Sequence, residues 1–162
     1  MERRSLYDDD IYAWAQEQAE VLRRLAETRR DLPNELDLEN VAEEIEDVGK
    51  SELSKVESFI RLILIHLLKL ASAPRSRSQR KWQNEVLAFH AELLREITPA
   101  MRPNIDLDHQ WRLALLRAEG DLSEHGDELL GGLPSTCPLS LDELTEEKFD
   151  VDYGLARTIP IA

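Results

Sequence analysis

The chain has 162 residues and a formal net charge of −13, with 42% hydrophobic and 33% charged residues. These values are typical of one folded domain with a sizeable core, and they argue against wholesale disorder. The negative charge opposes binding to nucleic acid or to an anionic bilayer, because both would repel the protein. The single Cys137 permits no internal disulfide, and the N-terminus lacks an apolar signal segment, so we expect a cytoplasmic protein.

The first predicted helix begins at the acidic run from Asp8 to Asp10, whose carboxylates can cap free backbone N–H groups. Leu32-Pro33-Asn34 then ends the helical segment. One face of this helix carries apolar residues, namely Tyr7, Ile11, Trp14, Leu22 and Leu25.

Residues 38 to about 70 predict one long central helix. Leu36, Asp37 and Val41 have the spacing of a hydrophobic staple around an N-cap. The apolar phase survives Gly49, which favours a continuous helix over a C-cap at Gly49 followed by a new start at Ser51. The residues that keep this phase are Leu38, Val41, Ile45, Val48, Val56, Ile60, Ile63, Leu67 and Leu70.

Such a helix would be about 51 Å long, whereas a compact domain of this size is roughly 39 Å across. We therefore predict a homodimer in which the overhanging helix packs on a second copy. From Phe59 to Ala71 only Arg61, His66 and Lys69 interrupt apolar residues, so this part should be buried inside a bundle. The stretch is too short for a membrane span. The roles of His66 and Lys69 stay open, since no ExxH spacing supports a di-iron site.

The rest of the chain predicts shorter helices. Ser78 can cap a third helix, a fourth begins near Ile105, and Ser140 to Glu143 has the form of a capping box for a helix reaching about Glu147. The last dozen residues lack periodicity and predict an irregular tail. We expect an all-α fold in one domain, 1–162, with a bundle of four or five helices over 1–135 and the capped helix and tail over 136–162. The C-terminal third is strongly acidic: eleven acidic residues lie from Glu119 to Asp152, against Lys148 alone.

Several runs along the chain resemble one family. They are YDDDIYAWAQEQAEVLR, LDLENVAEEIEDVGKSE, IHLLKL, PRSRSQRKW and LPSTCPLSLDEL, in this order. Together they are similar to the bacterial domain-of-unknown-function family 29 (DUF29). The resemblance implies a small helical bundle, and it implies no catalytic residues because the family has no established activity.

Two groups of charged residues are candidate sites. Glu17, Glu20, Glu44 and Asp47 resemble the EExxE and ExxD acids of all-α nucleotide pyrophosphohydrolases, with Gln16 in place of the first Glu. Such acids would hold Mg²⁺ for phosphate-ester hydrolysis. The helical phases of Glu20, Glu44 and Asp47 instead predict solvent-facing side chains.

The second group is basic and lies beside a tryptophan in the sequence. Its cations can hold a small anion or an acidic protein partner, and pairing with the acidic C-terminal third is the simplest alternative. Its members are Arg75, Arg77, Arg80, Lys81 and Trp82. We therefore expect a non-enzymatic interaction or scaffolding protein that self-associates and needs no cofactor, with a Mg²⁺-dependent hydrolase as the alternative.

Overall fold

The structure, a computed structural model, describes residues 5–160. Within them the chain forms α-helices joined by loops and no β-strand, so the predicted all-α class is confirmed. None of the described helices combines the length and apolarity needed to cross a membrane. The helices are α1 (Leu6–Asp9), α2 (Ile11–Thr28), α3 (Leu38–Ser72), α4 (Gln79–Glu96), α5 (Leu107–Ser123), α6 (Leu141–Leu144) and α7 (Val151–Thr158), with a 3₁₀ turn at Arg102–Asn104 before α5.

The long central helix is confirmed as the single 35-residue α3. Its first turn is capped as predicted, because the Asp37 carboxylate accepts a hydrogen bond from the Asn40 backbone N at 3.2 Å. Gly49 lies inside the helix, and among the described residues only Gly126 and Gly132 have a positive φ. The alternative break at Gly49 is therefore wrong.

The described residues divide into two compact units. Unit 1 contains those of residues 1–55 together with 97–105, and unit 2 contains 56–96 together with those of 106–162. Helix α3 contributes its first half to unit 1 and its second half to unit 2. Two compact units can belong to one domain, so the single domain 1–162 stays a prediction.

In unit 1, α2 and the first half of α3 pack as an antiparallel hairpin through small side chains. Ala15, Ala19 and Ala42 are fully buried. A Cβ added at Gly49 would lie only 3.1 Å from the Cβ of Ala15, which is tighter than an ordinary contact. Gly49 therefore favours the close approach of the two helices, although a glycine costs helix stability.

The start of α2 is fixed by Asp10, a carboxylate that is only 7% exposed. It accepts hydrogen bonds from Ala13 N at 2.9 Å, Thr98 Oγ1 at 2.8 Å and Ala100 N at 3.1 Å. The predicted acidic cap is thus confirmed, and it also binds the 97–105 segment. A buried carboxylate of this kind is tolerated because donors replace its lost water.

Unit 2 has a core of apolar side chains around the second half of α3. Residues 63–68 are all buried, as the nearly all-apolar sequence predicts. Trp111 of α5 is fully buried, and its Nε1 donates to the Pro134 carbonyl at 2.9 Å. This bond satisfies the one polar atom of the indole and ties the loop after α5 to the core.

The C-terminal segment differs from the prediction at two points. The capping box is confirmed at Ser140 and Glu143, but α6 ends at Leu144 rather than near Glu147. The predicted irregular tail is wrong over Val151–Thr158, which forms α7. Its N-cap Asp150 accepts from the Tyr153 backbone N at 2.8 Å.

The sequence conceals α7 because a glycine lies in the middle of it. Gly154 is buried, and a Cβ there would lie 3.0 Å from both terminal methyl carbons of Leu67 and from Cζ of Phe149. The glycine therefore lets α7 approach the core of unit 2 closely. By propensity alone the same residue argues against a helix.

Candidate functional site

Part of the predicted basic cluster lines a surface pocket of about 180 Å³ in unit 2. We call it the Trp82 pocket. Lys69 comes from α3, and Lys81 and Trp82 come from the first turns of α4. The lining residues are Lys69, Ser76, Ser78, Lys81, Trp82, Asp121, Leu122, His125 and Asp127.

Lys69, whose role the sequence left open, occupies a fixed position in this pocket. Its Nζ lies 4.9 Å from the centre of the Trp82 ring and 3.5 Å from Oδ2 of Asp121. The other oxygen of Asp121 accepts from Arg117 Nε at 3.0 Å. Asp121 is thus shared by two cations and does not fully neutralise Lys69. Sequence analysis missed Asp121 because it lies on α5, 52 residues from Lys69.

The remaining predicted cations lie at the surface. Arg75, Arg77 and Arg80 are exposed and form no ion pair with the carboxylates of residues 5–160. Lys81 is 74% exposed, and its Nζ is 3.9 Å from Oε1 of Glu85, near the limit for an ion pair. The simple alternative, pairing of this cluster with the acidic C-terminal third, is therefore not realised for the three arginines within the described residues.

His66 forms a polar bridge from α3 to α4 in unit 2. Its Nε2 lies 2.5 Å from Oε2 of Glu85, and its Nδ1 lies 2.7 Å from the Leu62 carbonyl oxygen. The residue is only 8% exposed. Both ring nitrogens have partners, so His66 acts here as a satisfied core histidine.

The predicted magnesium ligands do not lie together. Glu17, Glu20, Glu44 and Asp47 are all exposed, with 70% of the Glu20 side chain and 54% of the Asp47 side chain in solvent. Within residues 5–160 no three His, Cys, Asp or Glu side chains gather closely enough to hold a metal ion.

The hairpin of unit 1 leaves one apolar side open. Val21, Val41 and Val48 are 44%, 40% and 44% exposed, which is high for valine. Val41 and Val48 are displaced by about 100° from the buried Ala42 and Gly49 on α3, and Val21 by about 140° from the buried Ala15 and Ala19 on α2, in the same rotational sense. In an antiparallel pair, displacements in the same rotational sense point to the same side. We call this surface the hairpin face; it comprises Trp14, Val21 and Leu25 of α2 and Val41, Ile45 and Val48 of α3.

The opposite side of the hairpin is polar. Nη2 of Arg23 donates to Oε2 of Glu46 at 2.9 Å, and this bond lowers the pKa of Glu46. Glu27, Glu39 and Glu43 line the same shallow pocket. The hairpin is therefore amphipathic as a unit, with acids on one side and apolar side chains on the other.

These features define an all-helical protein with an apolar helical face and a small aromatic pocket lined by lysines. The family model described as "Domain of unknown function DUF29" matches residues 6–150, and the chain belongs to this family. Its fold is similar to the crystal structure of an alpha-helical protein of unknown function from Rhodospirillum rubrum. That similarity has a TM-score of 0.87 and 41% identity over 98% of this chain and 100% of the other. No curated protein matches the chain.

Proposed function

We propose that the protein is a cytoplasmic interaction protein that self-associates through the hairpin face into a homodimer. The observation that carries the proposal is the row of exposed valines on one side of the hairpin. Exposed apolar patches of this kind, bordered by polar residues, are typical of protein interfaces. The alternative, a Mg²⁺-dependent hydrolase, has less support, because within residues 5–160 no three His, Cys, Asp or Glu side chains gather to hold a metal ion.

The partner that fits this face best is a second copy of the same hairpin. Twofold pairing would place Val48 and Val41 of one copy against the same face of the other, giving a four-helix layer with a shared apolar core. Tyr7 extends the apolar surface, because its ring packs edge-on against Trp14 at 4.9 Å and is 52% exposed.

The size of the hairpin face sets the expected affinity of the dimer. An 18-residue helix such as α2 is about 27 Å long, and two helices side by side are about 20 Å wide. A face of these dimensions is smaller than a standard-size specific interface, which buries about 800 Å² per partner. We therefore expect a dimer that dissociates on dilution.

Light scattering coupled to size exclusion tests this over a concentration series. The native chain should approach twice its 18.6 kDa mass as concentration rises. Val48→Glu should remain a monomer, since a charge would be buried without a partner. Val48 is already 44% exposed, so the folded chain should tolerate the change.

The matched control is Lys50→Gln on the polar side of α3, which changes the net charge by the same amount. Lys50 is 63% exposed, and among residues 5–160 its ion-pair partners are Glu46 and Asp47. This variant should dimerise like the native chain. A native chain that stays monomeric at every concentration, or a Val48→Glu variant that dimerises normally, would show the proposal to be wrong.

A further inference from the structure

We propose that the Trp82 pocket binds a phosphate group that carries a proton, either inorganic phosphate or the phosphate of a small monoester. Cationic side chains lie in and beside this pocket. It is independent of the hairpin face, whose residues belong to unit 1.

The local charge favours an anion. Lys69 and Arg117 share the single carboxylate of Asp121. Lys81 shares Glu85 with His66, and its Nζ lies 3.9 Å from Oε1 of Glu85, so this ion pair is long. Arg75, Arg77 and Arg80 add further cations, because they flank the lining residues in sequence and pair with no described acid. Within the lining, Lys69 and Lys81 are balanced by Asp121 and Asp127. The excess positive charge therefore comes from the flanking arginines, which favour an anion in a chain of net charge −13.

The volume limits the ligand to a small group. About 180 Å³ is below the 300–1,000 Å³ that is usual for drug-sized ligands. A phosphate or carboxylate group suits this space, whereas a whole nucleotide does not. Nucleic acid would need a longer basic track for its backbone.

Donors for phosphate oxygens are available on several sides. The ammonium of Lys69 is held in place between the Trp82 ring and Asp121. Oγ of Ser76 accepts from the Ser78 backbone N at 3.1 Å, which leaves the Ser76 hydroxyl hydrogen free to donate. Lysine ammonium and hydroxyl groups together are typical phosphate contacts.

The acidic members of the pocket explain why the ligand should carry a proton. The Asp127 carboxylate makes no hydrogen bond or ion pair with residues 5–160, although it lines the pocket. Nδ1 of His125 lies 2.9 Å from the Asp121 carbonyl oxygen and must donate to it, so Nε2 of the neutral ring is an acceptor. A P–OH group can donate to such acceptors. Sulfate and acetate cannot, because they are fully ionised at neutral pH.

The indole N–H signals of ¹⁵N-labelled protein offer a direct readout, since Trp82→Phe identifies the signal of the pocket. Sodium phosphate, methyl phosphate, sulfate, acetate and chloride are compared at equal ionic strength. We expect a saturable shift of the Trp82 signal with phosphate and an affinity at least tenfold weaker for sulfate and acetate, because one hydrogen bond to a charged group is worth about tenfold. If methyl phosphate binds like phosphate, the pocket accepts a monoester; if it binds more weakly, the pocket selects inorganic phosphate.

Two charge variants distinguish specific phosphate binding in the Trp82 pocket from nonspecific attraction of anions to surface cations. Lys81→Gln should weaken phosphate binding about tenfold, since it removes one charge-assisted contact. Arg95→Gln is the matched control, because it removes an exposed cation from the far end of the same helix, where Arg95 pairs with Glu92 and Glu96. Asp127→Asn should reduce the difference between the affinities of the pocket for phosphate and for sulfate. Equal binding of phosphate and sulfate by the native chain, tight binding of acetate, or equal losses in the Lys81 and Arg95 variants would overturn the proposal.

Discussion

Replacing Gly49 by alanine tests whether close packing explains this glycine. In a solvent-exposed helix interior the change should stabilise the protein by about 1 kcal/mol, because alanine has the higher helix propensity. At Gly49 the new methyl group would lie 3.1 Å from the Cβ of Ala15 and 3.5 Å from Cδ2 of Tyr12. Both neighbours are buried on α2, so the two helices must separate by a few tenths of an ångström. Overpacking of this kind costs about 1–3 kcal/mol.

The net expectation is a loss of about 1 kcal/mol in the free energy of unfolding for Gly49→Ala. Gly120→Ala is the control, since Gly120 lies inside α5 and an added Cβ meets nothing within 4 Å. The free energy of unfolding of that variant should rise by up to about 1 kcal/mol. The gain is smaller than in the middle of a helix, because Gly120 lies near the end of α5. Urea unfolding followed by circular dichroism at one protein concentration measures both. If Gly49→Ala stabilises the chain as much as Gly120→Ala, the packing explanation is refuted.

Two further predictions concern the C-terminal part of unit 2. Gly154→Ala should weaken the docking of α7 by about 1–3 kcal/mol, because its methyl group would overlap the buried Leu67 and Phe149 side chains. Hydrogen exchange should show faster exchange of the α7 amides, and unchanged protection would contradict this. Burial raises the pKa of Cys137 to about 11, so at pH 8 iodoacetamide should modify the folded chain about 100-fold more slowly than the urea-unfolded chain. Because the neutral thiol is favoured in the folded state, this contribution to stability is lost as pH rises towards 11. Equal alkylation rates would refute the assignment.

Local signals in the sequence were sufficient to predict where most helices begin. Asp10, Asp37 and Ser140 each accept the backbone hydrogen bond that their positions predict. A cap involves residues only three positions apart, so the sequence contains all the information needed. The phase of the apolar residues likewise gave the length of α3, since a break would have reset it.

The features that sequence analysis missed depend on residues far apart in the chain. Gly154 argues against a helix by propensity, yet α7 forms because the glycine allows close contact with Leu67 of α3. Asp121 became part of the Trp82 pocket only through its contact with Lys69, 52 residues away. Neither contact follows from spacing or composition, because both require the packed arrangement of unit 2.

The basic cluster shows where composition misleads. A strong excess of acids suggests that each arginine finds a partner, but an exposed ion pair contributes only about 0–1 kcal/mol, and ordering two long side chains offsets much of that. Arg75 and Arg77 can therefore remain solvated without loss of stability. Their lack of partners alone is weak evidence for a ligand. The stronger evidence is the pocket itself, in which Lys69 is held in place over Trp82 while Asp127 lacks a donor. Such an arrangement leaves both a fixed cation and a free acceptor for one small ligand to engage together.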